Sequence, residues 1–407
     1  MTTTKNNEHK KLNAPNLRFP EFEGEWEEHY LSDYLDFKNG LNPKPDKFGK
    51  GIKFISVMDI LNNAIITNDC IRASVDVSEE ELQNFCVGYG DILFQRSSET
   101  LEDVGRANVY MDDKPAVFGG FVIRGKKKAE FNPLFFRDLL ASPFARKKII
   151  PMGAGAQHFN IGQEGLNKVK LNFPNLKEQE KIGRFLTLLD KRIATQSKVI
   201  EDLKKLKSAI INYAINSLDT DFAKFSSLYE MAGEGGTPTT SNASFYDNGK
   251  IPFIKIDDLK QKYLTENKDF ITELGLQKSS AWLVPTHSIL FSNGATIGEI
   301  SITTYPVCTK QGILGIVPKQ NIDVEFLYYF MSSSYFKKAV SRIVTEGTMK
   351  TAYLKDINNI LCPIPTKEKQ QEIAKMPSTL NSKIDFEQSI LKLFCSQKQY
   401  LLRQMFI

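Results

Sequence analysis

The chain repeats itself at an interval of about 191 residues, and this repeat limits the folds that it can adopt. Residues 173–182 return as residues 364–373. Three residue types recur at matching positions: Pro174 and Pro365, Gln179 and Gln370, Ile182 and Ile373. Solenoid repeats have periods of roughly 20–50 residues, so this interval is too long for one. The sequence therefore predicts a duplicated domain with a duplicated tail, arranged as a pseudo-twofold molecule.

Composition is ordinary for a globular protein. The 407 residues suffice for two or three domains, each with its own core. No apolar run approaches the ~20 residues that a membrane helix needs, so we expect no membrane partner. The five cysteines form no Cys-x-x-Cys pair, which favours reduced thiols in a cytoplasmic protein. The net charge is only +5, so any nucleic-acid site must be a local basic patch.

Residues 177–216 and 367–407 show helical periodicity. Apolar residues, and some polar residues that a helix interface tolerates, recur in steps of three and four along one face of each segment. In the first segment they fall at positions 182, 185, 189, 193, 196, 200, 203, 207, 210 and 214, and the second repeats them 191 residues later. This shared stripe predicts two long helices that pack as an antiparallel coiled coil.

Pro377 interrupts the second stripe at the position that corresponds to Leu186. Proline inside a helix lacks an N–H group and clashes with the preceding turn, which costs roughly 3 kcal/mol. We therefore expect the second helix to be kinked or split near residues 376–378, with a separate short helix over 367–375.

The remaining segments mix short β-type runs with short helices between Gly, Asn and Asp turns. The predicted fold class is α/β, with two similar domains separated by the two long helices. The predicted organisation is a disordered leader (1–16), a first domain (17–172), a first helix (173–218), a second domain (219–362) and a second helix (363–407).

Motifs for catalysis are missing. The sequence has no phosphate-binding loop of the Gly-x-x-x-x-Gly-Lys-[Ser/Thr] type, and its four histidines are not spaced for metal binding. Asn132-Pro-Leu-Phe135 resembles an adenine methyltransferase motif, but a helix start capped by Asn132 with Pro133 in its first turn explains it better. We predict no catalytic residue, no cofactor and no metal in this chain.

Two kinds of loop carry residues suited to DNA. A Gly-rich loop at 153–158 follows two lysines, and its counterpart at 346–350 follows a similar basic stretch. A second loop follows an apolar strand in each half, as Phe94-Gln-Arg-Ser-Ser98 and as Phe291-Ser-Asn-Gly294. Arg96 in the first of these can bond guanine bidentately. The candidate DNA-binding residues are Arg96, Lys147, Lys148, Gly155, Gln157, His158, Asn293, Lys310, Gln311, Thr348 and Lys350.

These features together resemble the specificity (S) subunits of type I restriction-modification enzymes. Residues 17–26 are similar to the family's N-terminal segment, and residues 176–193 to the conserved helix after each recognition domain. Recurring landmarks of the family's target recognition domains also match: Gly236-Thr-Pro238, Ile251-Pro-Phe-Ile254, Gly294-Ala-Thr-Ile-Gly298 and Gln311-Gly312. The first domain departs from this pattern, since Asn39-Gly-Leu-Asn-Pro43 replaces the Gly-Thr-Pro landmark.

The resemblance implies two target recognition domains that each read half of a split double-stranded DNA site through the major groove. It implies docking of two methyltransferase (M) subunits, which bind S-adenosylmethionine and methylate adenine, and of ATP-dependent motor-nuclease (R) subunits. All chemistry would then lie in the partners. The candidate subunit-docking residues are Phe185, Leu186, Ile210, Tyr213, Leu401 and Met405.

Two other interpretations remain open from the sequence. One is a coiled-coil scaffold whose α/β lobes bind proteins. The other is a fused methyltransferase-nuclease without recognisable motifs. Salt-dependent DNA binding by the complex argues against the first, and absence of S-adenosylmethionine binding by the isolated chain argues against the second.

Overall fold

The computed structural model describes residues 13–344 and 350–407, which form two compact units. Unit 1 comprises Met1–Ser197 and Ser389–Ile407, and unit 2 comprises Lys198–Gln388. The chain therefore leaves unit 1 after Ser197 and returns to it after Gln388. These two crossing points are 191 residues apart, which is the interval of the sequence repeat.

Unit 1 begins with eleven short strands and six short helices, and the first long helix starts within it. The strands are β1 (Glu27–Tyr30), β2 (Leu35–Asn39), β3 (Phe48–Ile55), β4 (Ser74–Val75), β5 (Ile92–Gln95), β6 (Ser97–Ser98), β7 (Ala107–Val109), β8 (Ala116–Phe118), β9 (Val122–Lys127), β10 (Phe159–Asn160) and β11 (Lys170–Phe173). The helices are α1 (Leu31–Tyr34), α2 (Val57–Asn62), α3 (Glu79–Phe85), α4 (Pro133–Ala141), α5 (Pro143–Ile149), α6 (Gln163–Asn167) and α7 (Leu176–Asn216).

Unit 2 contains a similar series, and the second long helix starts within it. The strands are β12 (Phe222–Lys224), β13 (Tyr229–Glu234), β14 (Ile251–Ile254), β15 (Tyr263–Leu264), β16 (Asp269–Ile271), β17 (Ile289–Ser292), β18 (Ile300–Thr303), β19 (Cys308–Thr309), β20 (Ile313–Pro318) and β21 (Leu361–Pro363). The helices are α8 (Glu273–Gln277), α9 (Val324–Ser332), α10 (Ser334–Ile343), α11 (Leu354–Ile357) and α12 (Lys367–Gln404).

The two domains share a sheet topology. Unit 1 has a sheet in the order β2-β9-β5-β7, and unit 2 has the matching order β13-β20-β17-β18 with β15 added at the edge. Each domain also pairs two strands in parallel, β3 with β8 in unit 1 and β14 with β19 in unit 2. Each is closed by a strand pair that leads into its long helix, β1 with β11 and β12 with β21. The predicted α/β fold class with an internal repeat is confirmed.

The repeated proline and glutamine join each domain to its long helix. Gln179 donates a hydrogen bond to the carbonyl of Pro174 at 2.9 Å and accepts one from the backbone N–H of Asn132 at 3.0 Å. Gln370 makes the same two bonds, to Pro365 at 2.9 Å and from Asp323 at 2.7 Å. Both amides are buried. A buried amide must find partners for its donor and its acceptor, which explains why this residue recurs.

The proposed cap of α4 is also confirmed. The Asn132 side chain accepts a hydrogen bond from the backbone N–H of Phe135 at 3.0 Å, and Pro133 lies at the first helical position. Asp323 caps α9 in the same way, through the N–H of Phe326 at 2.9 Å.

Within each unit, the two long helices run antiparallel. In unit 1, Lys398 of α12 bonds Asp190 of α7. In unit 2, Lys207 of α7 donates to Asn381 of α12 at 2.8 Å. Nine of the ten predicted stripe positions on each helix are buried or half-buried, and the exception is the same position in both, Phe185 and Met376. The stripe therefore marks the face that packs within the chain, and these two positions stand apart from it.

The expected split at Pro377 is wrong, because α12 is one helix from Lys367 to Gln404 with Pro377 inside it, and the expected kink there stays a prediction. Pro377 is buried, and the next residue is anchored to the second domain. Lys262, itself buried, donates to the Ser378 hydroxyl at 3.1 Å and to the Tyr329 hydroxyl at 2.9 Å, and it pairs with Glu325. These contacts anchor α12 to the second domain directly after the proline, and tertiary contacts can override helix propensity.

The segment before β1 packs against the end of α12 within unit 1. The Leu17 N–H donates to the carbonyl of Gln404 at 2.9 Å, and Trp26 packs edge-on against Phe406. Asn13 already takes part, since its carbonyl accepts from the Trp26 N–H at 2.7 Å. Residues 13–16, which were predicted to belong to a disordered leader, are therefore part of the described unit 1, and residues 1–12 lie outside the described residues. Among the described helices, none has the length and apolarity to cross a membrane.

Candidate nucleic-acid interface

In unit 2, the landmark loops meet at one edge of the main sheet. Strand β13 ends at Glu234 and β17 ends at Ser292, and both lie beside the start of β20 at Ile313. The loops that follow β13 and β17 and the loop that precedes β20 must therefore lie together. They surround a cavity of about 730 Å³, whose lining includes Thr237, Gly294, Thr296, Lys310, Gln311 and Tyr353.

Backbone and hydroxyl hydrogen bonds hold this loop cluster. The N–H of Gln311 donates to the Thr237 hydroxyl at 3.3 Å, and the N–H of Asn293 donates to the carbonyl of Gly312 at 2.9 Å. Gly235 must be glycine, because a Cβ there would lie 2.2 Å from the carbonyl oxygen of Thr309. The exposed side chains of Lys310 and Gln311 thus project from a fixed backbone.

Unit 1 builds the same cluster from different side chains. Strand β2 ends at Asn39 and β5 ends at Gln95, and both lie beside the start of β9 at Val122. The N–H of Arg96 donates to the carbonyl of Phe121 at 2.9 Å, which matches the bond from Asn293 to Gly312. The N–H of Gly40 bonds the Val122 carbonyl at 3.2 Å, just as Gly235 bonds Ile313 at 2.8 Å.

The matching hydrogen bonds show which residues of the first domain correspond to the Gly-Thr-Pro landmark of the second. Because Gly40 matches Gly235, Leu41-Asn42-Pro43 takes the place of Gly236-Thr237-Pro238. Asn42 packs against the loop before β9, since a Cβ on Gly120 would lie 2.0 Å from its side-chain oxygen. The loop geometry of the first domain is therefore preserved despite the change of sequence. Sequence reasoning missed Asn42 and Thr237, although the shared Gly and Pro of both landmarks were an available signal.

Arg96 and Asn293 occupy equivalent positions with different consequences. Arg96 is half-buried, and one guanidinium nitrogen donates to the Gly120 carbonyl at 3.2 Å. Asn293 is 1% exposed and its amide donates to the carbonyl of Ala352 at 3.2 Å. Asn293 is therefore not available to read a base in this structure, and the expectation for it is corrected: it braces its loop against the segment before α11.

The Gly-rich loop of the first domain lies beside Arg96. Strand β10, which follows it, pairs with β6, which follows Arg96, and the N–H of Ile161 donates to the Arg96 carbonyl at 3.0 Å. The loop residues Gly155, Gln157 and His158 are exposed. Gly155 has φ of +143° and a Cβ there would meet the His158 carbonyl at 2.0 Å, so the tight turn requires glycine.

The predicted lysines are distributed over several elements. Lys147 is exposed on α5, and Lys148 forms an ion pair with Glu28 of β1 at 3.3 Å, outside the loop cluster. Lys350 is exposed and precedes Thr351, which lines the cavity of unit 2. Thr348 lies outside the described residues. The structure therefore groups Arg96 with Gln157 and His158 in one domain, and Lys310 and Gln311 with the segment after Lys350 in the other.

The predicted docking residues divide by burial. Leu186, Leu401 and Met405 are 0%, 6% and 3% exposed in the core of unit 1, so they do not offer a surface to a partner and that expectation is corrected. They are buried because the domain and the other helix both cover this part of α7 and α12. Phe185 and Tyr213 are exposed by 38% and 77%, and Ile210 is half-buried.

Among the described residues, no group of three or more His, Cys, Asp or Glu side chains is arranged to hold a metal ion.

Comparison with known proteins accounts for this pattern of two similar domains and two long helices. The family model for the type I restriction modification DNA specificity domain matches residues 23–205 and again residues 220–393. A chain of Methanocaldococcus jannaschii, provisionally named the type I restriction enzyme MjaX specificity subunit, is 24% identical over 93% of this chain and 92% of its own. The MjaIX specificity subunit of the same organism is 32% identical over 41% of this chain and 39% of its own.

A solved structure shares the fold. The S subunit of a type I restriction-modification system from M. genitalium aligns with a TM-score of 0.57 at 16% identity, over 97% of this chain and 99% of its own. Both family-model matches coincide with the two copies of the repeat, and each includes the loop cluster and most of the following helix. The chain, a non-catalytic component by this relationship, therefore belongs to the family of type I restriction-modification DNA specificity subunits.

Proposed function

We propose that this chain reads an asymmetric, two-part double-stranded DNA site with a fixed gap, one half with each domain. One observation carries this proposal: the same loops meet at the same sheet edge in both domains, while their side chains differ. The cluster of the first domain offers Arg96, Gln157 and His158, whereas the cluster of the second offers Lys310 and Gln311. Two copies of one scaffold with different side chains suit two different half-sites.

The polar residues of each cluster have distinct proposed roles. Arg96, Gln157 and Gln311 carry groups that recognise base edges in the major groove. His158, Lys310 and Lys350, with Lys147 nearby in sequence, are suited to phosphates, which fix the register without reading sequence. Thr348 remains a proposed contact in the segment outside the described residues. Gly155 would act only through the close approach of its backbone.

We propose that two methyltransferase subunits dock on the long helices, one in each unit. In unit 1, Phe185 and Leu188 of α7 form an apolar groove with Phe394 of α12. In unit 2, Ile210 and Tyr213 of α7 form a groove with Met376 of α12. Phe185 and Met376 are equivalent in the repeat and are the stripe positions left exposed. Two grooves that share this exposed position would accept two copies of one partner.

Catalysis would then belong to the partners. The methyltransferase subunits would bind S-adenosylmethionine and methylate adenine, and motor-nuclease subunits would join the complex and use ATP. We place this complex in the cytoplasm, in agreement with the expected reduced cysteines.

A domain exchange tests the two-reader proposal. Residues 222–362 are replaced by those of a relative, the chain is co-expressed with its methyltransferase subunit, and methylated adenines are mapped across the host genome. We expect one half of the methylated site to change while the other half and the gap stay constant. The matched exchange of residues 17–172 should change the other half. If either exchange alters both halves together, the proposal of two independent readers is wrong.

A further inference from the structure

Phe121 lies at the tip of a tight turn between β8 and β9, inside the loop cluster of the first domain. Three backbone hydrogen bonds hold the turn, one of them within it. The Gly119 N–H donates to the Ile55 carbonyl at 3.0 Å, the Val122 N–H donates to the Gly119 carbonyl at 2.8 Å, and the Arg96 N–H donates to the Phe121 carbonyl at 2.9 Å. The Arg96 side chain adds a fourth bond, to the Gly120 carbonyl.

The two glycines before Phe121 are required by close packing. A Cβ on Gly119 would lie 2.6 Å from the ring of Phe54, and a Cβ on Gly120 would overlap the Asn42 side chain. The turn is therefore pressed against β3 and the Asn42 loop, and its conformation leaves the Phe121 ring outside. The backbone presents this ring rigidly, which limits the conformational entropy that a contact would cost.

The ring is 68% exposed, whereas Phe118 and Val122 on either side of the turn are fully buried. A single exposed apolar residue is common on protein surfaces. Phe121 differs by its location, because its turn is bonded directly to Arg96 and lies at the sheet edge where the proposed reading loops meet. The equivalent residue of the second domain is Gly312, with φ of +91°, which has no side chain to present.

The chemistry of the DNA major groove indicates what this ring contacts. The groove edges of the bases present hydrogen-bond donors and acceptors, and their apolar feature is the C5-methyl group of thymine. We propose that Phe121 packs against the C5-methyl group of a thymine in the half-site read by the first domain. This inference rests on the proposed function. It assigns a methyl-reading residue to the first domain and none to the equivalent position of the second.

Replacement of thymine by deoxyuracil tests the contact, because it removes only the methyl group. The complex of this chain with its methyltransferase subunit is titrated with duplexes of the mapped site, in which each thymine of the first half-site is replaced in turn. Burial of one methyl group contributes about 0.8 kcal/mol, or about fourfold in affinity. We expect about fourfold weaker binding at one position, and no such loss for the complex that carries Phe121→Ala.

Two further variants sharpen the result. Phe121→Leu retains an apolar side chain and should retain the sensitivity to deoxyuracil. Tyr89→Ala removes another exposed aromatic ring of the same domain, just before the opposite end of β5, and should also retain it. The inference is overturned if the first half-site contains no sensitive thymine, or if Phe121→Ala remains sensitive. Loss of all discrimination between specific and unrelated duplexes by the wild-type complex would instead overturn the proposed function, and this inference with it.

Discussion

At the scale of single residues, Asp138 of α4 shows how a buried charge is accommodated in unit 1. Its side chain is 1% exposed, and one carboxylate oxygen accepts from the Arg137 guanidinium at 3.0 and 2.7 Å. The other oxygen has no hydrogen-bond partner among the described residues. Burial raises the pKa of Asp138 to about 6, although Arg137 and Lys398 act in the opposite direction. Ionisation of Asp138 therefore costs more free energy in the folded chain than in water.

This pKa gives a stability prediction with a definite sign. Between about pH 4 and pH 6, the folded chain keeps the Asp138 proton while the unfolded chain has lost it. The free energy of unfolding of unit 1 should therefore decrease as pH rises through this window, relative to Asp138→Asn, and the difference should be constant above pH 7. Urea titrations followed by Trp26 fluorescence, in a Trp282→Phe background, measure it. The raised pKa of Asp138 is contradicted if the difference in free energy of unfolding between wild type and Asp138→Asn is constant across the window. It is also contradicted if the wild type gains stability relative to the variant as pH rises.

Single residues of the candidate site were only partly predictable from sequence. Arg96 and Gln311 were predicted because their residue types suit base edges, and both lie in the loop cluster. Asn293 was also predicted, but its amide is buried against Ala352, which lies 59 residues further along the chain. Phe121 was not predicted, because its exposure depends on strands that pack beneath its turn. Residue type is visible in a sequence, whereas burial by distant segments is not.

At the scale of elements, the long helices carry the proposed docking grooves, and these give a prediction about stoichiometry. Leu188 is 58% exposed in one groove and Tyr213 is 77% exposed in the other. An aspartate in an apolar interface costs its desolvation, so each of Leu188→Asp and Tyr213→Asp should prevent one methyltransferase subunit from binding. Native mass spectrometry should show one subunit bound to each single variant and none to the double variant.

The control for this experiment is Ser208→Asp, which adds the same charge to an exposed position of α7. It should leave two subunits bound. Retention of two subunits by either single groove variant would show that the grooves are not the docking sites.

The helices also show the limit of local reasoning about elements. The periodic stripe predicted both helices and the face on which they pack, because side-chain spacing along a helix is a local property. The same local reasoning predicted a break at Pro377, which the structure contradicts. The cost of a proline is local, but the buried Lys262 cluster that anchors the next residue comes from a loop more than one hundred residues earlier. Tertiary contacts can override the helix propensity of a single residue.

At the scale of the whole molecule, the two units should respond separately to damage in their cores. Phe406 packs against Trp26 and Phe135 in unit 1, and its repeat equivalent, Ile215, lies in the core of unit 2. Phe406→Ala should destabilise unit 1 by about 3–5 kcal/mol. Hydrogen exchange should then show loss of protection in β9 of unit 1, with β20 of unit 2 little changed.

The matched variant Ile215→Ala should give the reverse pattern, with protection lost in β20 and kept in β9. Equal loss of protection in both strands from either variant would mean that the chain unfolds as one cooperative block.

The division into units also determines the order in which the chain can fold on the ribosome. Unit 2 is one continuous stretch, but unit 1 needs Ser389–Ile407, which are made about 190 residues after the rest of it. At a synthesis rate of roughly 5–20 residues per second, the delay is roughly 10–40 s. During that time Trp26 and Phe135 lack the apolar cover that Phe406 later supplies. The domain that is translated first is therefore completed last, and its nascent form leaves this apolar surface uncovered until the end of α12 has been made.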